Sequence, residues 1–132
     1  MISTRGRYAL RVMIDLAEQG EEVYTPLKEV AERQHISKKY IEAIMTSLSK
    51  AGLVDAVHGK GGGYRLNKRA EDYSVGEILR VTEGDLAPVA CLEHGASPCE
   101  YAGECKTLPV WDKLNLMINN YLDGVTLADL AG

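Results

Sequence analysis

Residues 25–66, TPLKEVAERQHISKKYIEAIMTSLSKAGLVDAVHGKGGGYRL, decide the fold. Thr25 before Pro26 reads as a helix start, because threonine caps a helix and proline suits its first turn. Leu27, Val30 and Ala31 then share one face of a helix reaching Gln34. A four-residue break ends in Ile36-Ser37, and Ser37 caps a second helix of the pair. Its apolar positions Ile41, Ile44, Met45 and Leu48 again fall on one face, and Gly52 stops it. The run from Leu53 to Val57 is strand-like, and Tyr64-Arg65-Leu66 pairs with it across the loop from His58 to Gly63. Two short helices, a tight turn and a hairpin with a long flexible tip make a winged helix-turn-helix.

Outward from this stretch the pattern stays helical. Ala9, Val12, Met13, Leu16 and Ala17 recur at one-faced spacing, so a helix runs from about Thr4 to Glu18, capped by Ser3 or Thr4 and ended by Gly20. Ser74 caps a short helix from Val75 to Val81. Residues 84–106 are rich in loop formers. A long helix follows from Thr107-Leu108-Pro109 to about Asp123, with Leu108, Trp111, Leu114, Ile118, Tyr121 and Leu122 as one stripe. Val110, Leu116 and Met117 widen it towards a second face. A helix apolar on two faces needs two partners, either more of its own core or a second copy of the chain. Thr126 to Asp129 reads as a capping box opening a short last helix. The fold expected is therefore mostly α: a winged helix-turn-helix with a two-stranded wing over 1–83, a cysteine-containing segment over 84–106, and a dimerisation helix with a terminal helix over 107–132.

The bulk properties fit one such unit. The chain has 132 residues, of which 45% are hydrophobic and 26% charged. No apolar run is long enough to cross a membrane, and the N-terminus does not read as a secretory signal, so a cytoplasmic protein is expected. The net charge of -4 conceals an asymmetry. Residues 1–70 carry 12 Lys/Arg against 8 Asp/Glu, and residues 71–132 carry 3 against 11. The N-terminal half can neutralise phosphates despite the acidic total, although solvated charge can cluster in this way without a partner.

In a helix-turn-helix the second helix enters the major groove with its N-terminal residues towards base edges. Here those residues are Ser37, Lys38, Lys39, Tyr40 and Glu42. Lysine reaches phosphates or guanine acceptors, the two hydroxyls donate to phosphates, and a carboxylate accepts from cytosine or turns outward to an ion pair. At the wing tip His58 and Lys60 stand among four glycines, which permit close backbone approach to a duplex. A nucleotide-binding reading of Gly59-Lys60-Gly61 fails, because the hydroxyl residue after the lysine and the preceding glycine spacing are missing. Nothing supports catalysis: no paired carboxylates, no nucleophile with an assignable base and no C-x-x-C redox pair.

Several segments, in order along nearly the whole chain, resemble the Rrf-type winged-helix transcriptional regulators. They are residues 3–9, Ile36 to Glu42, Ala51 to Val54, Gly59 to Leu66, Val75 to Ile78, and Thr126 to Leu130. The likeness is greatest to the IscR-like iron–sulfur cluster sensors. The resemblance implies a homodimer held by the long helix and a palindromic double-stranded operator read by two recognition helices. It places Ser37, Lys39, Tyr40 and Glu42 at DNA. His58 stands where relatives often carry a wing arginine, a departure that Lys60 can offset.

Cys91, Cys99 and Cys105 are separated by seven and five residues. Thiolates bind iron–sulfur clusters and zinc, and neither gap is that of a zinc ribbon. The resemblance makes these three the ligands of a cluster, 2Fe–2S in preference to 4Fe–4S, with a first gap longer than the usual five. The fourth ligand departs from the family. Leu108 stands where IscR-like relatives have a histidine, and Tyr8 where NsrR-like relatives have an aspartate. His94, Glu93, Glu100, Glu104 or an exogenous group remain as candidates. The expected function is a DNA-binding regulator that senses iron–sulfur or redox status. The alternatives are a CymR-like regulator without a cluster, controlled by thiol oxidation or a partner protein, and an iron–sulfur carrier or thiol redox enzyme that binds no specific DNA.

Overall fold

The computed structural model describes residues 2–93 and 105–131. Helix α1 spans Thr4–Gln19, α2 Leu27–Gln34 and α3 Lys38–Lys50. Strands β1 (Val54–Val57) and β2 (Gly63–Leu66) form an antiparallel hairpin, with Val54 opposite Leu66 and Val57 opposite Gly63. Helix α4 (Val75–Glu83), α5 (Leu108–Asp123) and α6 (Leu127–Leu130) complete the chain, with single 3-10 turns at Ala70–Asp72 and Ala90–Leu92. This is the mostly helical winged helix-turn-helix that the sequence predicts.

The helix ends follow local chemistry. Ser3, Ser37, Ser74 and Thr126 each accept a hydrogen bond from an amide in the first turn they cap. Asp129 returns the bond to Thr126, so the expected capping box is complete. Helix α3 ends in a Schellman turn: Leu53 N donates to Leu48 O, Gly52 N to Ser49 O, and Gly52 takes the left-handed φ of 77°. Helix α2 ends in the same way at His35, whose φ of 55° is the one positive value among the described non-glycine residues. The tight turn into α3 is made there, in three residues.

Thr25 departs from the expected role of helix cap. Pro26 occupies that position and α2 has no side-chain cap. Thr25 instead pairs with the wing as a single-residue third strand: its N donates to Tyr64 O at 2.8 Å and its O accepts from Tyr64 N at 2.9 Å. A side chain at Gly63 would collide with the Thr25 carbonyl, so the close approach needs glycine. The wing tip is also tighter than expected. Gly59 and Gly61 take positive φ, Gly62 N donates to Gly59 O at 3.0 Å, and a Cβ on Gly62 would strike the Val57 carbonyl.

One core joins these elements. Val12, Met13 and Leu16 of α1 meet Ile41, Ile44, Met45 and Leu48 of α3, together with Leu66, Tyr73, Ile78 and Leu127, all essentially without exposure. Burying each large apolar side chain contributes about 1.5–3 kcal/mol. Tyr73 also has a polar task. Its hydroxyl donates to Leu53 O at 2.7 Å and accepts from the amides of Asn67 (2.9 Å) and Lys68 (3.1 Å). One phenol thus fastens the residue before β1 to the residues after β2, and burial pushes its pKa up.

Helix α5 lies against this body by one edge. Ile118 and Leu122 pack on a smaller cluster of Val75, Leu79 and Leu86, and no α5 side chain is fully buried. Tyr121, expected on the inward stripe, is instead 71% exposed, alongside exposed Val110, Leu116 and Met117. Arg80 of α4 fixes the helix, donating to Asp123 at 2.7 and 3.0 Å and to Asn119 at 2.6 Å.

Candidate nucleic-acid interface and cysteine segment

Helix α3 turns its apolar face wholly into the core, so its other faces are left outward. Ser37, Lys38, Lys39, Tyr40 and Glu42 are all exposed at its N-terminal end. The Ser37 Oγ accepts from Tyr40 N at 3.2 Å, which leaves its proton available to an acceptor outside. Lys38, Lys39 and Glu42 form no ion pair among the described residues. His58 and Lys60 stand exposed at the hairpin tip, beyond two strands that Tyr73 fastens at the base and that Thr25 pairs with near the tip, at Tyr64.

The turn before α3 is braced from α1 by residues to which the sequence assigns no structural role. Asp15 is 3% exposed and receives Arg33 of α2 through two bonds, 2.8 and 3.0 Å, and the Gln34 amide at 2.9 Å. Its hydrogen bonds raise the Arg33 pKa further. Arg11 Nε donates to Gln34 Oε1 at 3.1 Å, and its terminal nitrogen to the Gln34 carbonyl. The same guanidinium lies 5.1 Å from the centroid of the Tyr8 ring. That ring meets Tyr40 edge to face, with centroids 5.7 Å apart and planes at 81°. The sequence carries no signal for this brace, because its bonds run between three helices.

Of the expected cluster ligands, Cys91 is exposed in the turn Ala90–Leu92, and Cys105 is half-buried just before α5. Both are free thiols. Cys99 and His94 lie outside the described residues, as do Glu100 and Glu104. Cys105 Sγ is 3.3 Å from the Thr107 hydroxyl. That bond, with the amides of Thr107 and Leu108 at the N-terminal end of α5, holds its pKa below the ordinary thiol range. Such a sulfur suits a metal thiolate or a reactive thiol equally. Leu108 and Tyr8 offer no replacement ligand: one is an apolar residue of α5, and the other is engaged with Tyr40 and Arg11. No three metal-ligating side chains converge among the described residues.

Leu92 of the cysteine segment faces a cavity shared with α5 and α4, and α4 in turn reaches α1. Leu92, Asn115, Asn119 and Arg80 line one cavity of about 510 Å³. One turn beyond Arg80, Glu83 accepts from both the amide (2.9 Å) and the hydroxyl (2.6 Å) of Ser3 at the start of α1. Partial burial works to raise the Glu83 pKa, but the Ser3 and Thr82 hydrogen bonds outweigh it and the net direction is down. Gly6 permits this approach, since a Cβ there would strike the Glu83 carboxylate.

Comparison with known proteins agrees with this architecture. Residues 2–132 match the model of the Rrf2 family, described as an iron-dependent transcriptional regulator. The chain is 36% identical to the transcriptional regulator IscR of Aliivibrio salmonicida over 98% of this chain and 76% of that protein. Among solved structures it is similar to CymR, the global cysteine regulator of B. subtilis, with a TM-score of 0.82 and 34% identity over 99% of this chain and 95% of that one. It is also similar to IscR of T. potens, with a TM-score of 0.77 and 38% identity over 98% and 85%. No described helix is long and apolar enough to cross a membrane. The chain belongs to the Rrf2 family of winged-helix transcriptional regulators.

Proposed function

We propose that this chain is a homodimeric regulator that reads a palindromic duplex with Ser37, Lys38, Lys39, Tyr40 and Glu42 in the major groove and with His58 and Lys60 at the wing. The observation that carries the reading is α3 itself: four core side chains fix its inner face, and its polar N-terminal end is exposed and braced from behind. The unit over 1–83 does the reading. The segment over 107–132 supplies the second contact surface. Val110, Met117 and Tyr121 form an exposed apolar face on α5, and Ile2, Leu86, Ile118, Tyr121 and Leu122 line an apolar cavity of about 290 Å³ that a second copy can fill. Selection of duplexes from a random pool, followed by footprinting, tests this. The expected site has two related halves with centres about 34–36 Å apart, or a multiple of that. A single unrepeated half would contradict the dimeric reading.

The segment over 84–106 is the sensor in this proposal, with Cys91, Cys99 and Cys105 holding an iron–sulfur cluster, 2Fe–2S in preference to 4Fe–4S. When bound, the cluster would supply a redox- and iron-dependent link between the turn Ala90–Leu92 and the start of α5. The chain's own residues transmit the change: Arg80 ties α5 to α4, and Glu83 ties α4 to α1. A few kcal/mol of difference between two arrangements suffices to switch affinity. The lowered pKa of Cys105 and the likeness to a cysteine regulator favour a second reading, in which the thiols respond without a cluster. An absorption spectrum with iron and sulfide analysis, on protein purified without oxygen, separates them. A brown protein with stoichiometric iron supports the cluster, and a colourless one that still binds its duplex supports thiol control.

A further inference from the structure

The geometry points to Tyr8 as a positioning residue for DNA recognition, acting through Tyr40 and not through contact with the duplex. This rests on the reading that Tyr40 meets DNA. Tyr40 sits in the first turn of α3 and is 38% exposed, so α3 alone leaves its ring free to rotate. The half-buried Tyr8 ring, on a different helix, stops it edge to face at 5.7 Å. Tyr8 is in turn held by Arg11, one turn along α1, whose guanidinium lies over the ring. Arg11 spends its donors on the side chain and carbonyl of Gln34, the last residue of α2. The pair therefore grips both sides of the turn at 35–37: α2 through Gln34 and α3 through Tyr40. Tyr40 presents one preset face, and the ordering of its side chain is met on folding and not on binding.

The test is a double-mutant cycle on duplex affinity with Tyr8→Ala, Tyr40→Ala and the pair, alongside Tyr8→Phe. Edge-to-face pairs of this kind correspond to roughly three- to tenfold in an equilibrium constant. We expect Tyr8→Ala to weaken binding by roughly that factor in the Tyr40 background and by less than about twofold when Tyr40 is already alanine. Tyr8→Phe keeps the ring and should bind as the parent does. The slope of log affinity against log salt should not change with Tyr8→Ala, because no phosphate contact is lost. Two outcomes overturn the inference: an equal loss in both backgrounds, or a loss in Tyr8→Phe, which would make the Tyr8 hydroxyl a direct contact. Full affinity of Tyr40→Ala would remove the reading of α3 on which it rests. Thermal unfolding midpoints close to the parent's confirm that each variant is folded before its affinity is read.

Discussion

Replacing Tyr73 by phenylalanine keeps the buried ring and deletes only the hydroxyl that ties the two ends of the wing together. Its bonds to Leu53 O, Asn67 N and Lys68 N disappear, together with the 3.0 Å contact to Asn67 Oδ1 that competes with Leu53 O for the same proton. Asn67 and Lys68 are exposed residues, so water can replace the bonds to their amides at little net cost. Leu53 is 6% exposed, and its carbonyl loses the phenol without ready access to water. An unsatisfied buried acceptor costs about 1–3 kcal/mol, and each of the two part-buried amide bonds, with water in its place, lies at the low end of the about 0.5–1.5 kcal/mol of a typical hydrogen bond. A total near 2 kcal/mol follows, or roughly 8 °C in the unfolding midpoint of a domain of this size. Denaturant unfolding with an unchanged slope is the assay. The pH dependence adds a second signature. Burial raises the Tyr73 pKa in the folded chain, while the unfolded phenol ionises near about 10. Its contribution is therefore complete below about pH 10 and is lost as pH climbs through the folded value. The phenylalanine variant lacks that alkaline loss. A cost below about 0.5 kcal/mol would refute the view that this phenol anchors the wing.

Other perturbations follow from the same contacts. Arg33→Met leaves the Asp15 carboxylate, at 3% exposure, without its counter-ion and held only by the Gln34 amide, and should cost about 2–4 kcal/mol in denaturant unfolding, whereas Asp15→Asn leaves a guanidinium that is 36% exposed and free to turn to water, and should cost less; equal costs would contradict the asymmetry. Gly63→Ala drives a methyl into the Thr25 carbonyl and should part the wing from its third strand, seen as faster amide exchange at Tyr64 and weaker duplex binding. With Cys91 and Cys99 replaced by serine, the pH profile of Cys105 alkylation should have its midpoint below the roughly 8.5 of an ordinary thiol, and Thr107→Val should move it upward. A midpoint indifferent to Thr107 would remove the hydrogen bond as the cause.

What the sequence disclosed was local. Ser37 followed by Ile41, Ile44, Met45 and Leu48 specifies α3 because the cap and the 3.6-residue period both act within one helix. The same holds for the capping box at Thr126 and the glycine stop at Gly52. What it concealed depends on distant partners. Thr25 looks like a helix cap by its neighbours, but Tyr64, far along the chain, claims its backbone. Tyr73 and Asp15 look like ordinary residues until the hairpin and α2 reach them. Tyr121 falls on the apolar stripe of α5 by periodicity, yet the body it packs against is too narrow to cover it. Of the candidate site, Ser37 to Glu42 and the wing tip could be picked out by residue type on a recognisable frame. The brace of Tyr8, Arg11 and Asp15 behind them could not, since it is built across three helices. The cysteines were legible as a cluster of thiols, and the environment of Cys105 was not.

The most direct test of the account is the salt dependence of duplex affinity for the parent chain and for a variant carrying Lys38→Ala with Lys39→Ala, measured on the selected site. If both lysines meet phosphates from the start of α3, the slope of log affinity against log salt falls by about 2, since each contact contributes about 0.9. Affinity falls with it across all sequences. A variant with the parent's slope and affinity would show that α3 does not enter the duplex by its N-terminal end, and the proposed mode of reading DNA would be wrong.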